Sequence, residues 1–290
     1  MTHRPGTFRP VLMLLSLGTG IGLAVGAACG GGDDTDALRR GVLRHIAHEV
    51  AEPAFEGFRA AAHAAADRVD ALCAGPDAGP LAAARDAWQA ERDAWQRLLP
   101  FSFGPIADQM QQGPLDFWPA RPDTIDAAIT DAPATIDAAY LATRGTSAKG
   151  MPALEYLLFG TDPSAVLPAL QGPDGPRRCA YAVVLADDIA ARADQLAGAW
   201  TPGFADSLAT AGAGSTVYAT TQAGVDAVTN KLIEALTVMV KAKLDTPLGN
   251  LTGAAVDPAL LESRFAARSK RELAVDLTAV WSVYHGADPV

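Results

Sequence analysis

The spacing of apolar residues most constrains what this chain can fold into. Apolar residues recur at intervals of four, as in Leu38, Val42 and Ile46, and alanine is frequent between them. This period matches one face of an α-helix, whereas strands alternate with a period of two. The pattern predicts an all-α fold. The expected helices lie at 35–72, 81–99, 124–129, 134–142, just after 152, within 175–200, at 215–244 and at 258–284, the last with a break near 269. An irregular stretch rich in aromatic residues is expected at 100–122.

Local features refine two of these helices. Pro53 is expected to kink the first helix or to start a second segment, because proline has no backbone N–H to donate. In the second helix, Trp88 and Trp95 lie on one side, and Glu91 and Arg92 are placed elsewhere on its surface.

The connections between the predicted helices are short, which is typical of helical bundles. The chain is longer than a usual single domain, so we expect two helical-bundle lobes. Proline and glycine interrupt the pattern at 201–214, which marks the expected boundary. The predicted organisation is a signal peptide (1–28), a flexible tether (29–36), a first lobe (37–200) and a second lobe (201–290).

The N-terminal segment has the pattern of a bacterial lipoprotein signal. Arg4 and Arg9 precede an apolar stretch at 11–25, and small residues lead to Cys29, which a glycine-rich polar run follows. This order favours cleavage and lipid attachment at Cys29, with an ordinary secretory signal as the alternative. An uncleaved membrane span is disfavoured, because glycines interrupt the short apolar run. We therefore expect a cell-envelope protein whose lipid anchor binds a membrane, with Gly30 favouring the outer membrane.

The remaining cysteines are Cys73 and Cys179. An even pair in an exported protein predicts a disulfide bond, and two buried free thiols are the alternative.

The net charge of the chain limits which classes of partner it can bind. The chain has 23 basic and 33 acidic residues, a net charge of −10, and only 21 of the basic residues follow the signal peptide. No basic patch is available to neutralise phosphates, so a nucleic-acid partner is excluded.

One short motif bears on chemistry. Gly150 and Glu155 fit the metal-site pattern G-x-H-x-x-E, but Pro152 stands where the histidine belongs. Proline has no lone pair for a metal, so Glu155 lacks its partner ligand. Pro152 suits the first position of a helix, Glu155 its opening turn, and Gly160 a helix stop.

The segment around this motif resembles the imelysin-like family of bacterial envelope proteins, whose members carry either histidine or proline at this position. Further blocks match in order: ARDAWQAERDAW, FGPIAD, LDFWPARPDTID, RRCAY, DDIAARADQLAGAW, KLDTPLG and ESRFAARSKREL. The resemblance implies a two-lobed helical fold with an interlobe cleft, iron-regulated uptake systems as partners and, in some members, peptidase activity. Two departures are the missing histidine and the end at Val290, where similar proteins continue with more helices. The resemblance therefore implies either an incomplete second lobe or a fragment of a longer chain.

Three functions are consistent with these features. The first is a non-catalytic envelope protein that binds a ligand or partner in the interlobe cleft and serves iron acquisition. Its candidate ligand-binding residues are Glu155, Trp118, Arg121, Glu262 and Arg264. We expect Glu155 near an arginine and Trp118 if it binds ligand, whereas a purely structural Glu155 would cap its helix or pair with a buried arginine.

The second function is a metallopeptidase with an atypical metal site, and the third is a structural surface lipoprotein. His45, His48, Glu49 and Glu52 have the spacing of one helix face and could bind a transition metal. An exposed amphipathic face explains them equally. No cofactor is predicted, and iron or another divalent metal is the alternative.

Overall fold

The computed structural model describes residues 31–287, and no β-strand occurs among them, which confirms the predicted all-α class. The α-helices are α1 (Gly31–His45), α2 (Glu52–Ala74), α3 (Ala78–Gln96), α4 (Pro105–Asp108), α5 (Gln112–Leu115), α6 (Pro122–Thr130), α7 (Ala138–Ala142), α8 (Gly150–Phe159), α9 (Val166–Gln171), α10 (Gly175–Ala199), α11 (Ala205–Ala209), α12 (Thr221–Val238) and α13 (Ser269–His285). Turns of 3₁₀-helix lie at Leu99–Phe101, Thr146–Ala148 and Pro258–Leu260, and π-helical turns at Ile46–Ala51, Trp200–Phe204 and Met239–Asp245. None of the helices in the described range is long and apolar enough to cross a membrane.

Helices α1 and α2 form one helical run that a π-helical turn interrupts at Ile46–Ala51. Pro53 is the second residue of α2 and has no N–H for the carbonyl group four residues earlier. The wider turn that precedes it accommodates this missing hydrogen bond. The prediction of one run with an interruption at Pro53 is therefore correct.

The described part of the predicted tether, residues 31–36, belongs to α1. Asp36 accepts a hydrogen bond from Oγ1 of Thr221 at 2.5 Å, which ties this end of α1 to α12. The predicted signal peptide (1–28) and the proposed lipidation site Cys29 lie outside the described residues.

Two helices begin later than their sequence patterns predict, because polar caps fix their first turns. The side chain of Asp137 accepts the N–H of Tyr140 at 2.8 Å, so α7 starts after Asp137. The side chain of Thr220 accepts the N–H of Ala223 at 3.1 Å and starts α12 in the same way. Capping residues of this kind stabilise a helix start by about 1 kcal/mol.

The core is built on α2, which packs against both α3 and α10, and α8 packs against α3 and α10 in turn. Aromatic side chains fill the space between them. The ring of Phe55 stacks on Trp200 with centroids 4.5 Å apart, and Phe58 lies 5.1 Å from Trp95. Contacts of this geometry add about 0.5–1.5 kcal/mol to the gain from burial. Helices α2 and α10 therefore form the scaffold that holds α3 and α8 in place.

A disulfide bond joins Cys73 on α2 to Cys179 on α10, with Cα atoms 5.3 Å apart and a sequence separation of 106. The predicted pairing is confirmed. Closing a loop of this length stabilises a fold by roughly 4–5 kcal/mol in the chain-entropy account.

We call residues 31–200 the N-terminal part and residues 201–287 the C-terminal part. The two share one apolar core, because Ala205 and Leu208 are buried in the same cluster as Trp200. Helix α12 packs against α1, and α13 packs against α3. Thr201 has a non-helical backbone (φ −110°, ψ 127°), but the predicted lobe boundary stays a prediction.

Candidate functional site

Helix α8, which carries the motif, begins where the backbone of Gly150 lies so close to the backbone of Leu115 that only glycine fits. Gly150 has a φ of +70°, and a Cβ atom there would lie 2.3 Å from the carbonyl oxygen of Leu115. Pro152 is the third residue of the helix, not the first as predicted. Its missing N–H is harmless there, because the first four N–H groups of a helix have no intrahelical acceptor. The helix stops at Gly160, which has a φ of +63°.

Glu155 fastens α8 to the loop that precedes α13. The side chain is 2% exposed, and Oε1 accepts the backbone N–H groups of Phe265 at 2.8 Å and Ala266 at 2.9 Å. Burial raises the pKa of Glu155 to about 7, while these N–H groups and Arg92 lower it. Glu155 lies in the second turn of α8, one turn later than predicted, and holds the N-terminal and C-terminal parts together.

The two arginines proposed as partners of Glu155 bind other groups. Arg121 lies over the ring of Phe117, 5.2 Å from its centroid, and Arg264 donates a hydrogen bond to the carbonyl oxygen of Ala120 at 3.1 Å. Neither forms an ion pair with Glu155 in the described part of the chain. Two backbone N–H groups fill the role that the sequence assigned to an arginine.

A buried arginine that the sequence analysis did not select is the centre of the site. Arg92 on α3 is 1% exposed. Its Nη1 donates to Asp116 at 2.7 Å, and its Nη2 donates to Glu262 at 2.7 Å. Glu272 on α13 accepts from Nη2 at 3.0 Å and from Nε at 3.3 Å. We call the buried polar group around it the Arg92 cluster: Arg92, Gln96, Asp116, Lys243, Glu262, Glu272 and Asp276.

Lys243 is the second cation of the Arg92 cluster and lies in the π-helical turn after α12. Its Nζ is 2.7 Å from Asp276 and 2.8 Å from Glu262, and it donates to the side-chain oxygen of Gln96 at 2.9 Å. Burial lowers the pKa of Lys243, but the neighbouring carboxylates of Glu262 and Asp276 raise this pKa above its usual value. The cluster therefore joins α3 to the C-terminal part through charge-assisted hydrogen bonds.

Acids outnumber cations in the Arg92 cluster, four to two, and this affects their protonation. Burial raises the pKa of Glu262 to about 7 and that of Asp276 to about 6, against the lowering by Lys243. Burial also raises the pKa of Glu272, but the nearby Arg92 outweighs this effect and keeps the pKa of this carboxyl below its usual value. The charge of the cluster therefore changes between about pH 6 and 7.

Glu91, next to Arg92 on α3, is a buried acid that does not belong to the Arg92 cluster. It is completely buried, and neither carboxyl oxygen has a hydrogen-bond partner among residues 31–287. Burial raises the pKa of Glu91 to about 8, although Arg92 lowers it. The side chain is therefore mostly protonated at pH 7.

Two concave spaces lie beside these residues. The smaller is a pocket of about 90 Å³ next to the Arg92 cluster, and Trp118 and Glu262 line it, as do Asp116 and Lys243. Trp118 and Glu262 were both predicted as ligand-binding residues, and the structure brings them together in this pocket.

The larger space is a groove of about 590 Å³ between α2 and α3 of the N-terminal part and α13 of the C-terminal part. We call it the interpart groove; its walls are Glu49, Val50, Pro53, Ala54, Gly57, Ala61, Ala90, Asp93, Ala94, Arg97, Phe101, Ala279 and Ser282. None of the five predicted ligand-binding residues lines this groove.

The four residues proposed as a metal site do not converge. His45 forms a hydrogen bond with the backbone carbonyl group after α13, whereas His48 lies 3.1 Å from Glu52 and 3.6 Å from Asp206. Glu49 lines the interpart groove. The π-helical turn between His45 and Glu52 has more residues per turn than an α-helix, so the predicted common face is lost. Across residues 31–287, no group of three or more His, Cys, Asp or Glu side chains is arranged to hold a metal ion.

The family model for imelysin (peptidase family M75) matches residues 51–289. The chain belongs to the imelysin family. It is 27% identical over 286 residues to iron-regulated protein A of Synechococcus elongatus, an alignment that covers 95% of this chain and 73% of that protein.

Two solved structures share the imelysin fold of this chain. A protein named as an iron-regulated protein A precursor, from Parabacteroides distasonis, superimposes with a TM-score of 0.74 at 18% identity, over 88% of this chain and 75% of that one. An imelysin-like protein from Psychrobacter arcticum gives a TM-score of 0.68 at 21% identity, over 85% and 74%. The family resemblance noted in the sequence is confirmed.

The prediction that placed Glu91 and Arg92 away from the tryptophan side of α3 was wrong. They follow Trp88 by three and four residues and precede Trp95 by four and three. Residues at these spacings share a helix face, so the pattern that buries the tryptophans also buries the charged pair. Lys243 and Asp276 gave no local signal, because their partners are distant in sequence.

Replacement of Glu155 tests its role as an anchor in this imelysin-family protein. Glu155→Ala leaves the N–H groups of Phe265 and Ala266 without their acceptor, and we expect the free energy of unfolding to fall by about 1–3 kcal/mol. Glu155→Gln keeps an acceptor oxygen and should stay close to the wild type in urea denaturation at pH 6. Equal stability of all three proteins would contradict the anchoring role.

Replacement of Glu91 tests the buried acid. The carboxyl has a pKa of about 8 in the folded protein and 4.5 as its ordinary value, so its contribution to stability is present at low pH and is lost as the pH rises towards 8. Glu91→Gln removes this titration, and the fall in unfolding free energy from pH 5 to pH 8 should shrink by about 3 kcal/mol.

The measurement is urea denaturation of both proteins at several pH values in this range. Glu234→Gln is the matched control, because Glu234 is exposed and pairs with Lys231 on the surface of α12. An unchanged pH profile in Glu91→Gln would show that Glu91 does not take up a proton on folding.

Proposed function

We propose that this imelysin-family chain is a lipid-anchored, non-catalytic protein of the cell envelope that binds a ligand in the interpart groove and serves iron acquisition. The observation that carries the proposal is the groove itself, about 590 Å³ in volume, with walls from both parts of the chain. Small-molecule sites are typically concave spaces of about 300–1,000 Å³ with mostly apolar walls and a few polar groups.

The lining of the groove suits a ligand with an apolar body and a polar group. Ala54, Ala61 and Phe101 provide apolar wall, and Glu49 and Asp93 provide carboxylates. Asp93 is also within ion-pair distance of Arg268 and Arg271, the latter at 3.2 Å. These ion pairs hold the C-terminal part against α3 and keep the groove preformed, which lowers the entropic cost of binding.

A non-catalytic role rests on the chemistry of the motif. Pro152 offers no metal ligand, and Oε1 of Glu155 already accepts two backbone N–H groups. A catalytic zinc site needs three protein ligands and an open position. The alternative, a metallopeptidase with an atypical metal site, would have to recruit its metal through other residues such as His48 and Glu52, which lie 3.1 Å apart. A purely structural surface lipoprotein is the third possibility.

The link to iron comes from the relatives. Iron-regulated protein A of Synechococcus elongatus carries iron regulation in its name, and so does the precursor from Parabacteroides distasonis. The negative charge of this chain would attract a cationic or metal-bearing ligand at long range, although salt weakens this effect. Envelope proteins of an iron-uptake system are the partners that this role requires.

A glycine on α2 allows a direct test of the groove. Gly57 lines it, and a Cβ atom there would have no neighbour within 4 Å, so Gly57→Leu fills the space without a backbone clash. We expect the variant to bind ferrous iron or ferrioxamine B, a cationic iron chelate with methylene chains, at least about tenfold more weakly than the wild type in calorimetric titration, a loss of about 1.4 kcal/mol. Leucine also has a higher helix propensity than glycine, so the melting temperature should not fall.

The matched control is Gly198→Leu on α10, because Gly198 is also a helical glycine with open space around it but does not line the groove. It should bind the probes like the wild type. Absence of binding in the wild type, or an equal loss in both variants, would contradict the groove as the site. Hydrolysis of casein that depends on added Zn²⁺ would support the metallopeptidase alternative.

The anchor has its own test. We expect Cys29 to become the lipid-bearing N-terminus, because small residues precede it and a glycine-rich polar run follows it. Mass spectrometry of the envelope-purified protein should show a diacylglyceryl or triacylglyceryl cysteine as its first residue. A mature chain that begins elsewhere and lacks lipid would contradict the anchor and leave the groove proposal standing.

A further inference from the structure

Another concave space lies along α10, in the N-terminal part of the chain. Its volume is about 790 Å³, and its walls come from α10, from the end of α2 at Cys73 and from the segment that leads into α7 at Ile136. We call it the α10 groove. All of its lining residues lie between Cys73 and Ala191, and none of them lines the interpart groove. The α10 groove is therefore a separate space that the N-terminal part forms alone.

Most of the wall of the α10 groove is apolar and fixed in position. Nine of the twelve lining residues are alanine, valine, isoleucine, proline or the two cysteines of the disulfide bond. Val183 and Val184 pack against the core with one side and are half-buried, so the other side faces the groove. The disulfide bond holds the end of α2 against α10. A preformed apolar wall lowers the entropic cost of binding a ligand.

The charged groups of the wall are three aspartates, and none of the lining residues is basic. Asp188 pairs with Arg192 at 2.8 Å, and Asp137 accepts the N–H of Tyr140 as a helix cap. The carboxyl group of Asp187 is exposed and has no hydrogen-bond or ion-pair partner among residues 31–287. Asp187 is thus the carboxylate of the wall that is free to bind a ligand.

The group beside Asp187 is a second carboxylate and not a cation. Burial and the negative charge of Asp70 on α2 both raise the pKa of Asp187. A cation in the groove would reduce this repulsion between like charges. Asp187 follows Val183 and Val184 by four and three positions on α10, so its carboxylate and the apolar wall share one face of the helix.

We propose that the α10 groove binds a small organic cation, a protonated amine joined to an apolar chain or ring. The ammonium group pairs with Asp187 and is attracted by Asp70, and the apolar body covers Val183 and its neighbours on α10. The volume of the groove lies within the range of about 300–1,000 Å³ that is typical of small-molecule sites. A carboxylate of the same shape would meet only like charges, so the site selects by the sign of the ligand's charge.

Calorimetric titration with octylamine tests this site, because the amine is protonated at pH 7 as lysine is. In buffer with about 0.15 M salt, which screens long-range attraction, we expect one site per chain with a Kd below about 1 mM. Octanoate lacks the cation and ethylamine lacks the chain, so each should bind at least about tenfold more weakly. Asp187→Asn should also weaken octylamine at least about tenfold, and its melting temperature should not fall, because a like-charge repulsion is removed.

The matched control is Asp86→Asn, because Asp86 is exposed on α3, carries the same charge and does not line the groove. It should bind octylamine like the wild type. Gly57→Leu, which fills the interpart groove, should also keep the binding, so this site can fail or stand independently of the proposed function. Absence of octylamine binding at about 1 mM, equal affinity for octanoate, or an equal loss in Asp86→Asn would overturn the proposal. A loss in Gly57→Leu without one in Asp187→Asn would overturn it as well, because the amine would then occupy the interpart groove.

Discussion

Arg92 places a positive charge where water does not reach, and carboxylates from three separate segments surround it. Asp116 comes from the loop after α5, Glu262 from the loop before α13, and Glu272 from α13 itself. A charge in this position is stable only when its partners are in place, and loss of one partner of a buried ion pair typically costs about 3–5 kcal/mol. The N-terminal and C-terminal parts therefore cannot separate without exposing or leaving unpaired at least one of these groups.

The loop before α13 shows how strongly this arrangement fixes the C-terminal part. Glu155 accepts two of its backbone N–H groups, Arg92 binds Glu262, and Asp93 binds Arg268. These contacts come from α8 and α3, so the helix that follows the loop has one position relative to α3. One wall of the interpart groove is part of that helix, and its distance from the opposite wall is thus set by buried charges.

The sequence was sufficient to predict the helices, the pairing of Cys73 with Cys179, and the proline variant of the imelysin motif. These features depend on local spacing or on a small number of possible partners. The site was harder to predict. Arg92 and Glu272 are 180 positions apart, and nothing in either segment indicates the other. Arg121 and Arg264 were reasonable partners for Glu155, but a loop backbone supplied the donors. The sequence gives no means of choosing between an arginine and a backbone N–H group as the partner of a buried carboxylate.

Gly150 illustrates how a residue without a side chain can control an ion pair that it does not touch. Any larger residue there would press on the backbone of Pro114 and Leu115, and the next residue along the chain is Asp116. Asp116 accepts hydrogen bonds from Arg92 and from the indole of Trp95, at 2.7 and 2.8 Å. A substitution at Gly150 would therefore weaken a buried ion pair, because it would move the carboxylate of Asp116 away from the guanidinium of Arg92. Tolerance to change at this position is thus limited by the charge balance of α3 as much as by the shape of a turn.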